Sequence, residues 1–456
     1  MGRPHLNRGR GGTRGPRRWR PQAGGRARLQ LGELIKLLRR NPDFRRLFLA
    51  AVVSLGGDWF SFVAVSGLVI AMTGRESSTA VVFAANVLPI FLLSPVAGVV
   101  ADRVDRRRLM VAADLLRILP ALALISVAAL GQVWLAYLCV ALISALSAFF
   151  APVTSAVLPN LVDKEDLSLA QAALSGVWGS MLFVGAALGG VFTALFGREA
   201  SFAIDALTFL VSAVLILRIH RSFRSGPIPQ RASVLTHLGE VWHFARGRKL
   251  VRAFMVTKVG VGVGNGIVGL LPAYAAMRFG AGDQGIGLLL AARGFGALIG
   301  PFLARAVTRG DGRRQVALCG LAIVSYGAAY AFLPFANGLP ATVVCVAVAH
   351  AGGGAQWVLS TYGLQLTAPD SVRGRIMSLD FGLATFAIGV SGLLAAGFAE
   401  AFGLEAASFG LAALALIYGV SWLSWTRDLW RGTEDPLHPP EVESDLLAPL
   451  QAERAE

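Results

Sequence analysis

Charge is scarce in this chain, and negative charge is the scarcer kind. Only 15% of its 456 residues are charged, with 27 Asp and Glu set against 42 Lys and Arg. Soluble globular domains carry about 25%, so a water-covered fold of this length is excluded. Cysteine is almost absent. Cys139, Cys319 and Cys345 each lie inside an apolar run and share no metal-type spacing. That excludes a disulfide framework or a zinc site and leaves three thiols expected to act as small buried hydrophobes. There is no Ser-His-Asp set, no metal-ligand cluster and no phosphate-binding loop. Gly262, Gly264 and Gly266 fall within an apolar run, where helix packing explains them. The expectation is a chain that is not an enzyme and needs no cofactor.

Apolar residues fill the space that charge leaves. Hydrophobic residues make up 55% of the chain, and the mean hydropathy is +0.61. About 20 apolar residues cross a bilayer as a helix, and runs of that length recur. They fall at 47–73, 79–101, 109–130, 133–152, 168–195 and 200–217, then at 254–277, 286–307, 316–335, 341–364, 376–402 and 406–425. The first run begins near Leu47 at full span length, so no cleavable signal peptide is read.

The net charge of +15 is concentrated in the N-terminal tail and in alternate loops, with few aromatics interleaved. This favours membrane orientation over nucleic-acid binding. Loops after even-numbered spans hold Arg103, Arg106, Arg107, Arg108, Lys164, Arg218, Arg221, Arg305, Arg313, Arg373 and Arg375; loops after odd-numbered spans hold Arg75, Arg198 and Arg278. By the positive-inside rule, the even loops and both termini are expected in the cytoplasm.

Residues 1–28, rich in Gly, Pro and Arg, read as a disordered basic tail, with RNA binding as the alternative. Residues 29–46 place Leu31, Leu34, Ile35 and Leu38 on one helical face opposite Lys36, Arg39 and Arg40, as in an interfacial helix. A basic linker at 219–252 divides the spans into halves, 47–218 and 253–427, and 428–456 reads as a second disordered tail. The halves echo each other. Asp58 lies eleven residues beyond Leu47 and Asn265 eleven beyond Phe254, Gly98 matches Gly300, and Pro159 matches Pro369.

Between the second and third spans, Gly98, Asp102, Arg103, Arg106 and Arg107 form a dense charged turn. Their spacing resembles the loop between helices 2 and 3 of the major facilitator superfamily. Asn41-Pro42-Asp43-Phe44-Arg45-Arg46-Leu47, Ser54-Leu55-Gly56-Gly57-Asp58-Trp59, Leu158-Pro159-Asn160-Leu161-Val162 and Pro369-Asp370-Ser371-Val372-Arg373-Gly374-Arg375 are similar to the bacterial macrolide-efflux and enterobactin-exporter branch. The likeness covers roughly 41–427. It implies an all-α polytopic membrane protein with twelve transmembrane helices in two six-helix pseudo-repeats, in the bacterial inner membrane. It also implies a monomer that exports a hydrophobic or amphipathic small molecule, drug-like or a siderophore, by alternating access, with protons as the coupling partner. An importer, a lysolipid flippase and a non-transporting receptor or scaffold are the alternatives. Two departures stand out: Gly185-Ala186-Ala187-Leu188-Gly189-Gly190 has alanine where many exporters have proline, and helix 4 carries no arginine.

Asp58 is the intramembrane carboxylate that draws most attention, at roughly 16 Å from the start of its span. An ion there costs at least ~2.5 kcal/mol unless it meets water or a partner, so Asp58 reads either as an interhelical hydrogen-bonder or as a proton-carrying or cation-sensing site lining the central cavity. Asp114 and Arg117, three apart, read as mutually neutralising. Arg293 reads as a counter-ion for Asp58 or for an anionic substrate. Asp205, His350 and Asp380 read as packing groups. The resemblance implies a cavity lined by spans 1, 4, 7 and 10, with Asn265, Gln356, Trp357 and Ser360 as candidates beside Arg293. It also gives Asp102 a place against the start of helix 11, with Arg373 and Arg375 as partners, as a latch between halves. The plain alternative for that loop is a topological signal.

Overall fold

Buried in hydrocarbon, a backbone must satisfy its own hydrogen bonds, and this chain does so with helices alone among the described residues. The structure, a computed structural model, describes residues 23–221, 223 and 234–437. The sequence places helix boundaries with local chemistry. Asn41 caps α2 (Pro42–Thr73) by accepting from the Phe44 amide at 2.9 Å, Pro42 opens its first turn, and Gly74 ends it at φ 63°. Asp105 caps α4 (Arg106–Leu130) and Asp311 caps α13 (Gly312–Ala331) in the same way. A short helix, α1 (Ala23–Arg40), precedes α2; its Leu37 is buried and Arg40 pairs with Asp166.

The first half also contains α3 (Ser77–Arg103), α5 (Val133–Ser147) and α6 (Phe150–Leu161), which share one span, α7 (Leu167–Phe196) and α8 (Arg198–Leu217). The linker contains a helix the sequence reading did not foresee, α9 (Val234–Arg246). In the second half, α10 (Lys249–Gly264) and α11 (Gly266–Ala273) break at Asn265. Ser391 repairs the break: its hydroxyl donates to the Val263 carbonyl and accepts from the Gly266 amide. Then come α12 (Gly282–Thr308), α14 (Leu339–Thr367) and α15 (Asp370–Trp425). Among the described residues, eleven stretches are long and apolar enough to cross a membrane. The last holds two spans, because Gly403 turns the chain at φ 82°. Twelve spans result, six on each side of the linker.

Residues 428–437, expected in a disordered tail, are ordered. Asp428 pairs with Lys249, whose hydrogen bond holds that carboxyl below its usual pKa, in a short helix α16 (Arg427–Arg431). Asp435 accepts from the Gly312 amide at 3.1 Å, and Arg313 donates to the Gly432 carbonyl at 3.2 Å. Acidic residues beside a basic helix start supply the reason.

The two halves meet at the end with few basic residues. There Arg75 pairs with Glu400 at 3.2 Å, the Leu404 amide donates to Glu76 at 2.7 Å, and Arg198 pairs with Asp283 at 3.1 Å. Next to this last pair α7 and α12 touch backbone to backbone. A Cβ built on Gly287 would lie 2.5 Å from the Gly190 Cα. Ring contacts continue the seam inwards, Phe91 on Phe386 at 5.1 Å and Phe183 on Phe295 at 5.7 Å. Beyond them, Gly176 and Gly179 on α7 have nothing within 4 Å of a Cβ position. The helices have parted, and the gap between halves opens at the basic end.

Candidate functional site

Four charged side chains meet inside the first half. Asp58 lies midway along α2, and four residues before it Ser54 occupies the same face. From α4, Arg117 reaches across and binds both oxygens of Asp58, at 2.7 and 3.0 Å. It also donates to Ser54 at 3.1 Å and to its own-helix neighbour Asp114 at 3.4 Å. The guanidinium stacks over Phe209 of α8, 4.0 Å from the ring centroid, with Phe150 at 5.6 Å. Only 2% of the Arg117 side chain is exposed, against 26% of Asp58. A planar, delocalised cation held between a carboxylate fork and an aromatic face suits arginine and not lysine.

Asp205 of α8 completes the group. It is fully buried, and neither carboxylate oxygen makes a hydrogen bond, although the Ser61 and Thr208 hydroxyls lie beside it. Gly57 makes room, since a Cβ there would collide with Thr208 and Asp205. Asp58 and Asp205 share the wall of a small pocket with Ser61, Phe62 and Asn86; it has about 30 Å³ of room for solvent, enough for a water or two.

Counting charges gives the site its chemistry. Asp58, Asp114 and Asp205 face one guanidinium, and their described ion pairs all end on Arg117. Ionised together they would leave two uncompensated negative charges in a low-dielectric core, which is costly. Added positive charge is what would balance it.

The sequence reading of Arg117 is thereby corrected. It does touch Asp114, but its main partner is Asp58, and the counter-ion of Asp58 is Arg117 rather than Arg293. Nothing in the sequence pairs residues 59 apart on different helices; the one available signal was a second basic group in a span next to an acid. Lys258 had no place in the sequence reading. It is buried, paired with the equally buried Asp380 across α10 and α15, and lies 5.0 Å from the Trp357 ring centroid. Asn265 sits at the α10–α11 break, 5% exposed, with its side-chain oxygen unpartnered. Gln356 and Ser360 are fully buried and bond to each other at 3.4 Å. Trp357 packs edge-on against Phe381.

The residues assigned to the latch are engaged within their own halves. Arg106 and Arg107 donate to the carbonyls of Phe223 and Arg221. Arg373 pairs with Asp370 and donates to the Ala368 carbonyl, while Arg375 pairs with Glu240 of α9. Gly98 lies on α3 and Arg103 is exposed at its end; the Asp102 side chain lies outside the described residues.

Comparison with known proteins places this geometry. The family model described as transmembrane secretion effector matches residues 38–449. The multidrug efflux pump Tap of Mycolicibacterium fortuitum is 28% identical over 399 residues, covering 84% of this chain and 95% of that one. Tap of Mycobacterium tuberculosis is 28% identical over 394 residues, covering 82% and 90%. Among solved structures, a bacterial homologue of the human lysosomal transporter Spinster, inward-facing and unoccupied, superposes with a TM-score of 0.66 at 14% identity, over 85% of this chain and 97% of that one.

Proposed function

Because the chain belongs to the transmembrane secretion effector family of the major facilitator superfamily, we propose that it exports a hydrophobic or amphipathic small molecule in exchange for protons. The observation that carries this reading is the Asp58–Arg117 pair, set with Asp114 and Asp205 beside a pocket at mid-membrane. In this reading the basic end, with both termini, faces the cytoplasm, and the structure is the inward-open form of a monomer. The contact of one Arg117 nitrogen with both oxygens of Asp58 suits an ionised carboxylate, the state left after a proton has been released. A substrate enters from the open end, the halves close over it, and the opposite end opens. A proton arriving there neutralises Asp58 and frees Arg117, which Asp114 can then hold on the same helix. Loss of the cross-helix tie between α2 and α4 lets the halves return.

Similarity to pumps named for multidrug efflux supports export of bulky, greasy compounds over sugars or inorganic ions. The test is accumulation of a fluorescent amphipathic dye in inside-out vesicles energised by respiration. Uptake that depends on the protein and collapses with an uncoupler is expected; uptake unaffected by the uncoupler would defeat proton coupling. Reporter fusions after Arg108, Arg314 and Trp430 should all read cytoplasmic, and a periplasmic reading at any of them would overturn the orientation.

A further inference from the structure

A second polar cluster lies inside the other half and carries the opposite sign. Gly296 and Gly300 of α12 pack directly on the backbone of α14 at Ala347 and Ala351, and Gly354 of α14 packs on Ala297. Arg293 lies on α12 one turn before Gly296, and His350 precedes Ala351 on the facing stretch of α14. The His350 Nε2 lies 2.8 Å from the Tyr330 hydroxyl, and its ring meets those of Tyr326 and Tyr330 edge-on at 5.4 and 5.8 Å. Arg293 is the charge that acts on all three.

Two features of this cluster are unfinished. Arg293 is half-buried, and among the described residues it has neither an ion pair nor a hydrogen bond; its Nε is buried and unpartnered. The Tyr326 side chain is fully buried, and its hydroxyl also has no partner. Two other buried cations of the spans do have carboxylates: Lys258 has Asp380, and Arg117 has Asp58 and Asp114. A guanidinium in a membrane protein's interior with no carboxylate of its own, in the same helix cluster as an idle hydroxyl donor, is an arrangement suited to an anionic group.

We infer that Arg293 and Tyr326 form a recognition site for a carboxylate carried by the exported molecule, with His350 and Tyr330 as its positioning pair. The inference rests on the export reading and narrows it, from amphipathic compounds in general to those bearing an acidic group. Arg293 supplies the forked donor, and Tyr326 adds a neutral hydrogen bond. The Tyr330–His350 bond fixes the aromatic walls. An ester of the same molecule offers the same apolar body without the charge.

A matched pair of probes tests this: a xanthene dye with a free carboxylate and the methyl ester of the same dye. Binding to the purified full chain in detergent is followed by fluorescence anisotropy. A hydrogen-bonded charge contact contributes roughly tenfold or more in affinity, so the wild type should bind the acid about tenfold tighter than the ester. In Arg293→Gln the ratio should fall to about one, with ester binding reporting that the variant is folded. Arg293→Lys should restore part of the preference, and Tyr326→Phe should lower it a few-fold. No preference in the wild type overturns the site, and so does a preference that survives both Arg293→Gln and Tyr326→Phe. Should the acid preference behave as expected while neither dye moves in proteoliposomes under a pH gradient, the site stands and the export reading falls.

Discussion

Arg117 lies 2.7 Å from one oxygen of Asp58 and 3.0 Å from the other, yet 3.4 Å from Asp114 on its own helix. The longer, cross-helix reach is the better bond, so the guanidinium ties α2 to α4 and keeps a reserve partner one turn away. On the proposed proton-coupled reading, a single proton on Asp58 would change which helix Arg117 serves.

Asp58→Asn should therefore abolish uphill export while leaving downhill exchange measurable, and Asp58→Glu should retain partial activity with a shifted pH profile. The measurement is dye transport in proteoliposomes under an imposed pH gradient. Full gradient-driven export by the asparagine variant would remove Asp58 as the proton carrier.

Lys258 and Asp380 are expected to matter as a pair. Removing either partner strands a buried charge and should cost about 3–5 kcal/mol, whereas replacing both by apolar residues of similar volume should be close to neutral. Thermal unfolding of Lys258→Met, Asp380→Leu and the double variant in detergent measures this. Equal loss in the double and single variants would show that the ion pair itself carries the stability.

Gly287 should behave as a conformational control. A side chain there meets the Gly190 backbone, so Gly287→Val should wedge the closed end apart and favour the form open on that side. Spin labels on Phe302 and Trp178, both exposed near the basic end, should move closer together. An unchanged distance distribution would mean that the helices shift without parting.

For the basic loop, Asp102→Asn is expected to insert normally but transport poorly, with the population moved towards the basic-end-open form. Wild-type transport would reduce Gly98–Arg108 to an orientation signal. Because Arg375 is held by Glu240 in the present form, Glu240→Gln should have the reverse effect on the same spin-label distances.

Much of the architecture could be read from residue order because a bilayer leaves a chain few options. Apolar run length and alternating loop charge located the spans, and the break at Gly403 divides what would otherwise be one helix into the last two. The site was less accessible. Asp58 stood out as a carboxylate far from any loop, but Arg117 was credited to the acid three residues away, since sequence exposes neighbours along one helix and not across two. Lys258 drew no reading, because its partner Asp380 lies 122 residues away on another helix. Helix α9 lay in a stretch whose charge suggested only linker. Its apolar side became intelligible once Val241 and Ala245 were seen buried against the second half.

That docking makes α9 a passenger of the second half, tied by Glu240 and its buried face, while Phe223 is buried in the first half. Were the two halves to rock against each other, α9 would ride with the second half as cargo, its pairing with Arg375 carried along unbroken.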